Sequence, residues 1–414
     1  TQPERGSESN MGVFGGPNKV KGGIVFSLDG ANPASYAGDV ISEAAGPAYG
    51  YFGGGNTYPG PIVTTVNRID YGNDTATAAT KGPLSAARKY LAAAGNSSYG
   101  YFAGGSSPNV TTVDRIDYSS DTGTAPTKGP LSVARYGLGA TGNASYGYFG
   151  GGGPGTISTV DRIDYSSDTG TTPTKGPLSD ARYALSATGN LSYGYFGGGA
   201  PGPKTTVDRI DYSSDTGTTP TKGPLSVARY YLEATGNTSY GWFAGGATPS
   251  PVSTVDRIDF SSDTPTAAAK GPLSQVRSFA GATGNASYGY YGGGSDGSNY
   301  VSSIDRIDYS NDSATASPKG LLSLTQNASM GGVSSREYGL PNTTTYATRS
   351  ATQTVGTPYG YFGGGQSSES TKLSIIHRLD YTSDTSTPTP KGNLSVARRN
   401  VGATGNISYG YFGG

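Results

Sequence analysis

Short stretches of this chain alternate apolar and polar residues with a period of two, and each stretch ends in glycine, proline, asparagine or serine. In "VDRIDY", Val160 to Tyr165, the alternation sets Asp161, Ile163 and Tyr165 on one face and Val160, Arg162 and Asp164 on the other. No window carries a sustained helical period. The pattern predicts an all-β protein of short strands and tight turns, with helix nearly absent.

The strands recur. The first tyrosine of an aromatic-glycine block such as "SYGYFGGG" stands at Tyr49, Tyr99, Tyr146, Tyr193, Tyr240, Tyr288, Tyr359 and Tyr409, at intervals of 47 to 50 residues except one of 71. Such a period marks a propeller or solenoid, whose units bury a face against their copies. In Val133 to Lys175, "VARYGLGATGN" predicts a first strand ending in a Gly-Asn turn, "ASYGYFGGG" a second, "STVDRIDYSSD" a third, and "TTPTKGPLS" a short, proline-bearing fourth suited to an edge. The glycines after Phe149 permit positive φ and close backbone approach. Four antiparallel strands per repeat make a blade of a β-propeller.

Third strands number seven: Val66 to Tyr71, Val113 to Tyr118, Val160 to Tyr165, Val207 to Tyr212, Val255 to Phe260, Ile304 to Tyr309 and Ile376 to Tyr381. The expectation is therefore a seven-bladed propeller over residues 49–414, following an extension over residues 1–48. Eight second-strand blocks leave an eight-bladed ring as the alternative. Residues 324–358 break the pattern and read as an irregular insertion, and the arginine that opens the first strand elsewhere (Arg88, Arg135, Arg182, Arg229, Arg277, Arg398) is lost there. Because asymmetric loops carry recognition on symmetric scaffolds, Arg336, Glu337, Tyr338 and Tyr346 form a candidate binding loop.

Charge is tied to the repeat. Arg68, Arg115, Arg162, Arg209, Arg257, Arg306 and Arg378, with Asp70, Asp117, Asp164, Asp211, Asp259, Asp308 and Asp380 two positions on, read as a structural ladder of buried or half-buried ion pairs. A constellation copied in every repeat argues for scaffold rather than catalysis. The later Asp121, Asp168, Asp215, Asp263, Asp312 and Asp384 read as turn formers, with Ca2+ ligation as the alternative.

Composition narrows the function. Equal numbers of Lys+Arg and Asp+Glu, 29 each, offer no footprint for nucleic acid or an anionic membrane, no apolar run is long enough for membrane insertion, and the absence of cysteine removes disulfides and a thiolate nucleophile. His377 is the sole histidine and occupies a repeat position held by Asp in most other blades. Neither a copper ligand set nor one asymmetric carboxylate pair is present, so no catalytic residue, cofactor or metal site is assigned and a non-enzymatic role is expected.

The order of an aromatic strand ending in Gly-Gly, a variable loop, a V-x-R-[IV]-D-[YF] strand, a Pro-Leu segment and an opening Arg resembles the kelch repeat, although the tryptophan usual after the third strand is absent. "SSDTGT" is similar to the Asp-box of sialidase-type propellers but lacks its closing aromatic. "MGVFGGPNKVKGGIVFSLDGANPASYAGDV", Met11 to Val40, resembles the opening of virion-associated proteins of marine cyanobacterial phages. That resemblance implies a virion-surface or extracellular appendage present in multiple copies, docked to other virion subunits through its N-terminal segment. Its propeller would then adhere to a host-surface glycan or envelope protein, or else serve as structural decoration; a glycan-processing enzyme is the third alternative.

Overall fold

The computed structural model of the protein describes residues 48–335, except Tyr58 and residues 325–326, and six strand segments between Tyr359 and Gly413. The chain divides into two compact units, Ala45–Ala347 and the pairing of Thr1–Ala44 with Thr348–Gly414. In the first unit the second strands are Tyr49–Gly53, Tyr99–Ala103, Tyr146–Gly150, Tyr193–Gly197, Tyr240–Ala244 and Tyr288–Gly292, which define blades 1 to 6. Each pairs antiparallel with a third strand, Val66–Asp70 in blade 1 and Val160–Asp164 in blade 3 for example. The fourth strands are two to five residues long, as in Thr174–Lys175 and Ser317–Leu321, and shrink to single bridges in blades 2 and 4. One 3-10 turn, Tyr309–Asn311, is the only helical element among the described residues.

Inner strands Ala92–Gly95, Gly139–Gly142, Ser186–Gly189, Glu233–Gly236 and Gly281–Gly284 precede the second strands of blades 2 to 6. The inner strand of blade 1 comes from far along the chain: Gly331–Ser334 pairs with Tyr49–Gly53, from Gly53↔Gly331 to Gly50↔Ser334. The ring therefore has six blades, not seven or eight. The stretch read as the start of an insertion, from Leu324 onward, contains the strand that shuts the ring. The seventh third-strand motif lies in Thr371–Asp380, which pairs with Tyr359–Gly363 and Thr389–Arg398 in the other unit. The eighth aromatic block pairs as a hairpin, Gly402–Gly405 with Gly410–Gly413.

A buried charge pair explains why blade 1 takes this closing strand. In blades 2 to 6 the opening arginine is fully enclosed and meets the first Asp of the third-strand motif: Arg88–Asp114, Arg135–Asp161, Arg182–Asp208, Arg229–Asp256 and Arg277–Asp305, at 2.7–3.2 Å. A serine completes each site, as where Ser132 donates through N and Oγ to the two oxygens of Asp161. In blade 1 both charges are missing together. Asn67 replaces the aspartate and accepts from Ser323 N at 2.9 Å, and no arginine stands between Ser323 and Asn327. A closing segment with an arginine, such as the one ending at Arg398, would bury a guanidinium without its carboxylate.

A second set of contacts joins each blade to the next. Asp168 of blade 3 accepts Arg115 Nη1 at 2.7 Å and the Tyr101 hydroxyl at 2.9 Å, and its other oxygen lies 3.2 Å from Lys128 Nζ, all from blade 2. Its carbonyl accepts Gly129 N at 2.7 Å. The same arrangement centres on Asp121, Asp215, Asp263 and Asp312, and the ring closes with Arg306 and Lys319 of blade 6 on Asp74 of blade 1. Trp242 Nε1 replaces the tyrosine hydroxyl in blade 5. Each arginine also covers a tyrosine ring, Arg162 over Tyr146 at 4.3 Å.

The ladder inferred from sequence thus has the right arginines and a different acid. Among the described residues, the aspartates two positions on make no ion pair with them. Instead Asp164 accepts from Ser166 N and Oγ, and Asp70, Asp117, Asp211, Asp259 and Asp308 cap the same turn. The aspartates read as turn formers or calcium ligands are the interblade acceptors, with their oxygens engaged by cationic and hydroxyl donors.

The recurring block can now be read residue by residue. In "SYGYFGGG", Asn190 before it accepts from Ser192 N and Tyr193 N, so the turn rests on the asparagine side chain and not on positive φ. A Cβ on Gly194 would lie 2.5 Å from Thr141 Cγ2 of the preceding blade. Tyr195 stacks on Phe260 of the next blade at 4.8 Å, while Phe196 covers Gly150 of the preceding one. Gly198 and Gly199, at φ +71° and +120°, then turn the chain.

Two predictions follow from these pairs. Asn67→Asp buries an unpaired carboxylate and lowers stability by about 3 kcal/mol in urea unfolding, comparable to the loss from Asp161→Asn, which strands Arg135. Burial would raise Asp121, Asp168 and Asp263, but their tyrosine and lysine hydrogen bonds and arginine neighbours outweigh it and hold them below the usual carboxylate value. A depressed folded pKa contributes stability above the unfolded value, about 3.9, which is lost as pH falls through the folded one. Acid titration should therefore show stability falling below about pH 4, less steeply in Asp168→Asn.

Candidate functional site

The structure breaks its own symmetry at the axis. Between the buried arginine and each inner strand, one residue per blade turns left-handed: Tyr90, Gly137, Ala184, Tyr231, Phe279 and Ser329, at φ from +53° to +64°. Each N–H donates to the carbonyl of its counterpart in the preceding blade, Gly137 to Tyr90, Ala184 to Gly137, Tyr231 to Ala184, Phe279 to Tyr231, Ser329 to Phe279 and Tyr90 to Ser329, at 2.6–3.1 Å. Six backbone hydrogen bonds close a collar around the axis. Beneath it lie the apolar side chains Leu91, Leu138, Leu185, Leu232, Ala280 and Met330, all buried.

The residue before each collar position bridges to the loop that follows the glycine pair of its own blade: Lys89↔Ser106, Tyr136↔Gly153, Tyr183↔Ala200, Tyr230↔Ala247 and Ser278↔Ser295. The variable loops and the collar therefore share one face of the disc. On that face the aromatic rings form a connected, half-buried set. Tyr90 lies 6.0 Å from Tyr136, 5.9 Å from Tyr231 and 5.8 Å from Phe279; Tyr136 lies 6.3 Å from Tyr183, and Tyr230 lies 5.2 Å from Tyr231.

The collar face is the candidate site. Blades 1, 3 and 4 place Ser329, Gly137 and Ala184 at collar positions where blades 2, 5 and 6 place Tyr90, Tyr231 and Phe279, and these six residues line a small axial cavity that reaches past the leucine layer to Glu233. Burial raises the Tyr231 hydroxyl well above its usual pKa, and the nearby Tyr90, Tyr183, Tyr136 and Tyr230 add to the effect. Neutral hydroxyls and ring faces thus converge there. The charged residues described nearby are few: Glu233 lines the cavity below the collar, Lys89 lies over the Tyr90 ring, and Lys204 pairs with Asp180 at 2.8 Å.

The residues singled out from sequence fall elsewhere. Arg68, Arg115, Arg162, Arg209, Arg257 and Arg306 belong to the interblade clamps. Arg336, Glu337, Tyr338 and Tyr346, and the segment Met11 to Val40, lie outside the described residues, as do the side chains of Arg378 and Asp380. The collar residues went unnoticed in the sequence because they occupy the variable position of the "ARYxLxATGN" pattern. Their signal was that variability: Tyr, Gly, Ala, Tyr and Phe stand at one site of an otherwise regular repeat.

Searches against protein-family models and curated proteins return no match to this chain.

Left-handed backbone strains residues that carry Cβ, so Ala184→Gly, which gives blade 4 the residue blade 3 already holds, should raise stability by about 0.5–1 kcal/mol in urea unfolding.

Proposed function

We propose that the protein is a non-enzymatic recognition module that binds a neutral surface glycan on the aromatic face of the collar. The observation that carries this reading is the connected set of Tyr90, Tyr136, Tyr183, Tyr230 and Tyr231 on the collar face. Pyranose rings offer apolar C–H faces to aromatic side chains and hydroxyls to phenolic oxygens, and a site with little net charge favours uncharged sugars. The rigid ring pre-organises these rings, which reduces the ordering cost of binding.

The likeness of the repeat to kelch, and of Met11 to Val40 to the opening of phage virion proteins, supports a virion-surface or extracellular appendage in multiple copies. The N-terminal segment would dock it to other virion subunits and leave the propeller for adhesion to host glycan. A purely structural decoration protein is the alternative reading, and lack of binding to any cell or glycan would favour it.

The test is binding of the fluorescent full chain to candidate host cells and to an array of neutral and acidic glycans. Saturable binding to neutral glycans that falls at least tenfold in Tyr136→Ala/Tyr183→Ala, with unchanged circular dichroism, supports the aromatic face as the site. Binding unaffected by the double substitution contradicts it. Deleting residues 324–358 is not a clean test, because it removes the closing strand Gly331–Ser334.

A further inference from the structure

The repeat tolerates one acidic residue where it has no evident structural use. Glu233 begins the inner strand of blade 5, opposite Ala244. The equivalent positions hold Ala92, Gly139, Ser186, Gly281 and Gly331. Glu233 lies half-buried in the axial channel beneath the leucine layer, walled by Ala140, Ser186, Ala187, Ala282 and Gly332.

The carboxyl group has no cationic partner among the described residues. Its hydrogen bond comes from Ser186 Oγ at 3.4 Å. Arg229, four residues earlier, is committed to Asp256 at 2.7 Å and to the carbonyls of Gly245 and Thr254. Tyr291 of blade 6, the other ionisable group facing it, donates its hydroxyl to the carbonyl of Trp242. A carboxylate partly withdrawn from water without a counter-charge is costly, and the repeat offers five uncharged solutions at this position.

The surroundings supply hard oxygen ligands. Each inner strand is the terminal strand of its sheet, hydrogen-bonded on one side only, so six strand edges present backbone groups toward the axis. Alanine and glycine on these strands leave room beside Glu233. Backbone carbonyls, a serine hydroxyl and one carboxylate are the donor set of a hard cation, and a single negative charge is neutralised by a single positive one. We propose that the channel binds one alkali-metal cation, sodium or potassium, at Glu233, with the Ser186 hydroxyl and inner-strand carbonyls completing its coordination. Glu233 lines the cavity below the collar, beneath the aromatic face proposed for glycan, and its test does not depend on glycan binding.

Thermal unfolding of the full chain is measured in sodium, potassium, calcium and choline chlorides at matched ionic strength, with 23Na relaxation as a direct probe of ion binding. Wild type should melt several degrees higher in sodium or potassium than in choline. Glu233→Gln and Glu233→Ser should lose the difference, the latter because it places in blade 5 the residue blade 4 already accommodates. Equal melting in all salts, a cation effect that persists in Glu233→Ser, or an effect confined to calcium would each overturn the proposal.

Discussion

Each blade presents one aspartate to its predecessor, and that residue gathers an arginine, a lysine and an aromatic donor while its carbonyl takes the amide of the Lys-Gly segment. The carboxylates are nearly buried, whereas the arginines retain about a quarter of their exposure, so charge is paired at the blade boundary without being fully removed from water. The rest of the packing follows from this link. With Asp168 fixed against Arg115 and Tyr101, Tyr101 stacks on Tyr165, and the same pairing recurs at every boundary including that between blades 6 and 1. A blade with so many alanines and glycines in its inner strand gains cohesion from these directional contacts as well as from apolar burial.

Six-fold repetition builds a rigid ring but cannot by itself specify a ligand. The repeat relaxes at the collar residue, whose backbone is fixed by hydrogen bonds while its side chain differs from blade to blade. Gly137 and Ala184 keep the collar hydrogen bonds that Tyr90, Tyr231 and Phe279 make, although they carry no ring. Glu233 is a second relaxation of the same kind, one layer deeper. Both follow from a scaffold stable enough to carry unlike side chains at equivalent positions.

Much of the architecture was legible in the chain. The period of about 47 residues, the four strands per unit and the edge character of the proline-bearing segment all rest on local chemistry. Blade number was not, because counting third-strand motifs assumes that every motif joins the ring. Asn67 carried the missing information: it departs from Asp in the one blade whose partner segment lacks arginine, a correlation that becomes meaningful once the Arg135–Asp161 pairing is seen. The ladder acids were misassigned for a related reason. Arg162 and Asp164 share a strand face by alternation, but Asp164 is at the strand end and reaches its own turn, while Asp215 arrives from the next blade, a distance that sequence spacing does not reveal.

The central structural claim is that Gly331–Ser334 closes a six-bladed ring on Tyr49–Gly53. Amide hydrogen exchange on the full chain tests it most directly, because a strand inside a cooperative ring exchanges only through global opening. The account predicts that the ladder amides of Gly331–Ser334 are protected as strongly as those of Gly139–Gly142. Rapid exchange there, with ring-level protection at Gly402–Gly405 instead, would contradict it and point to a ring closed by the later segment.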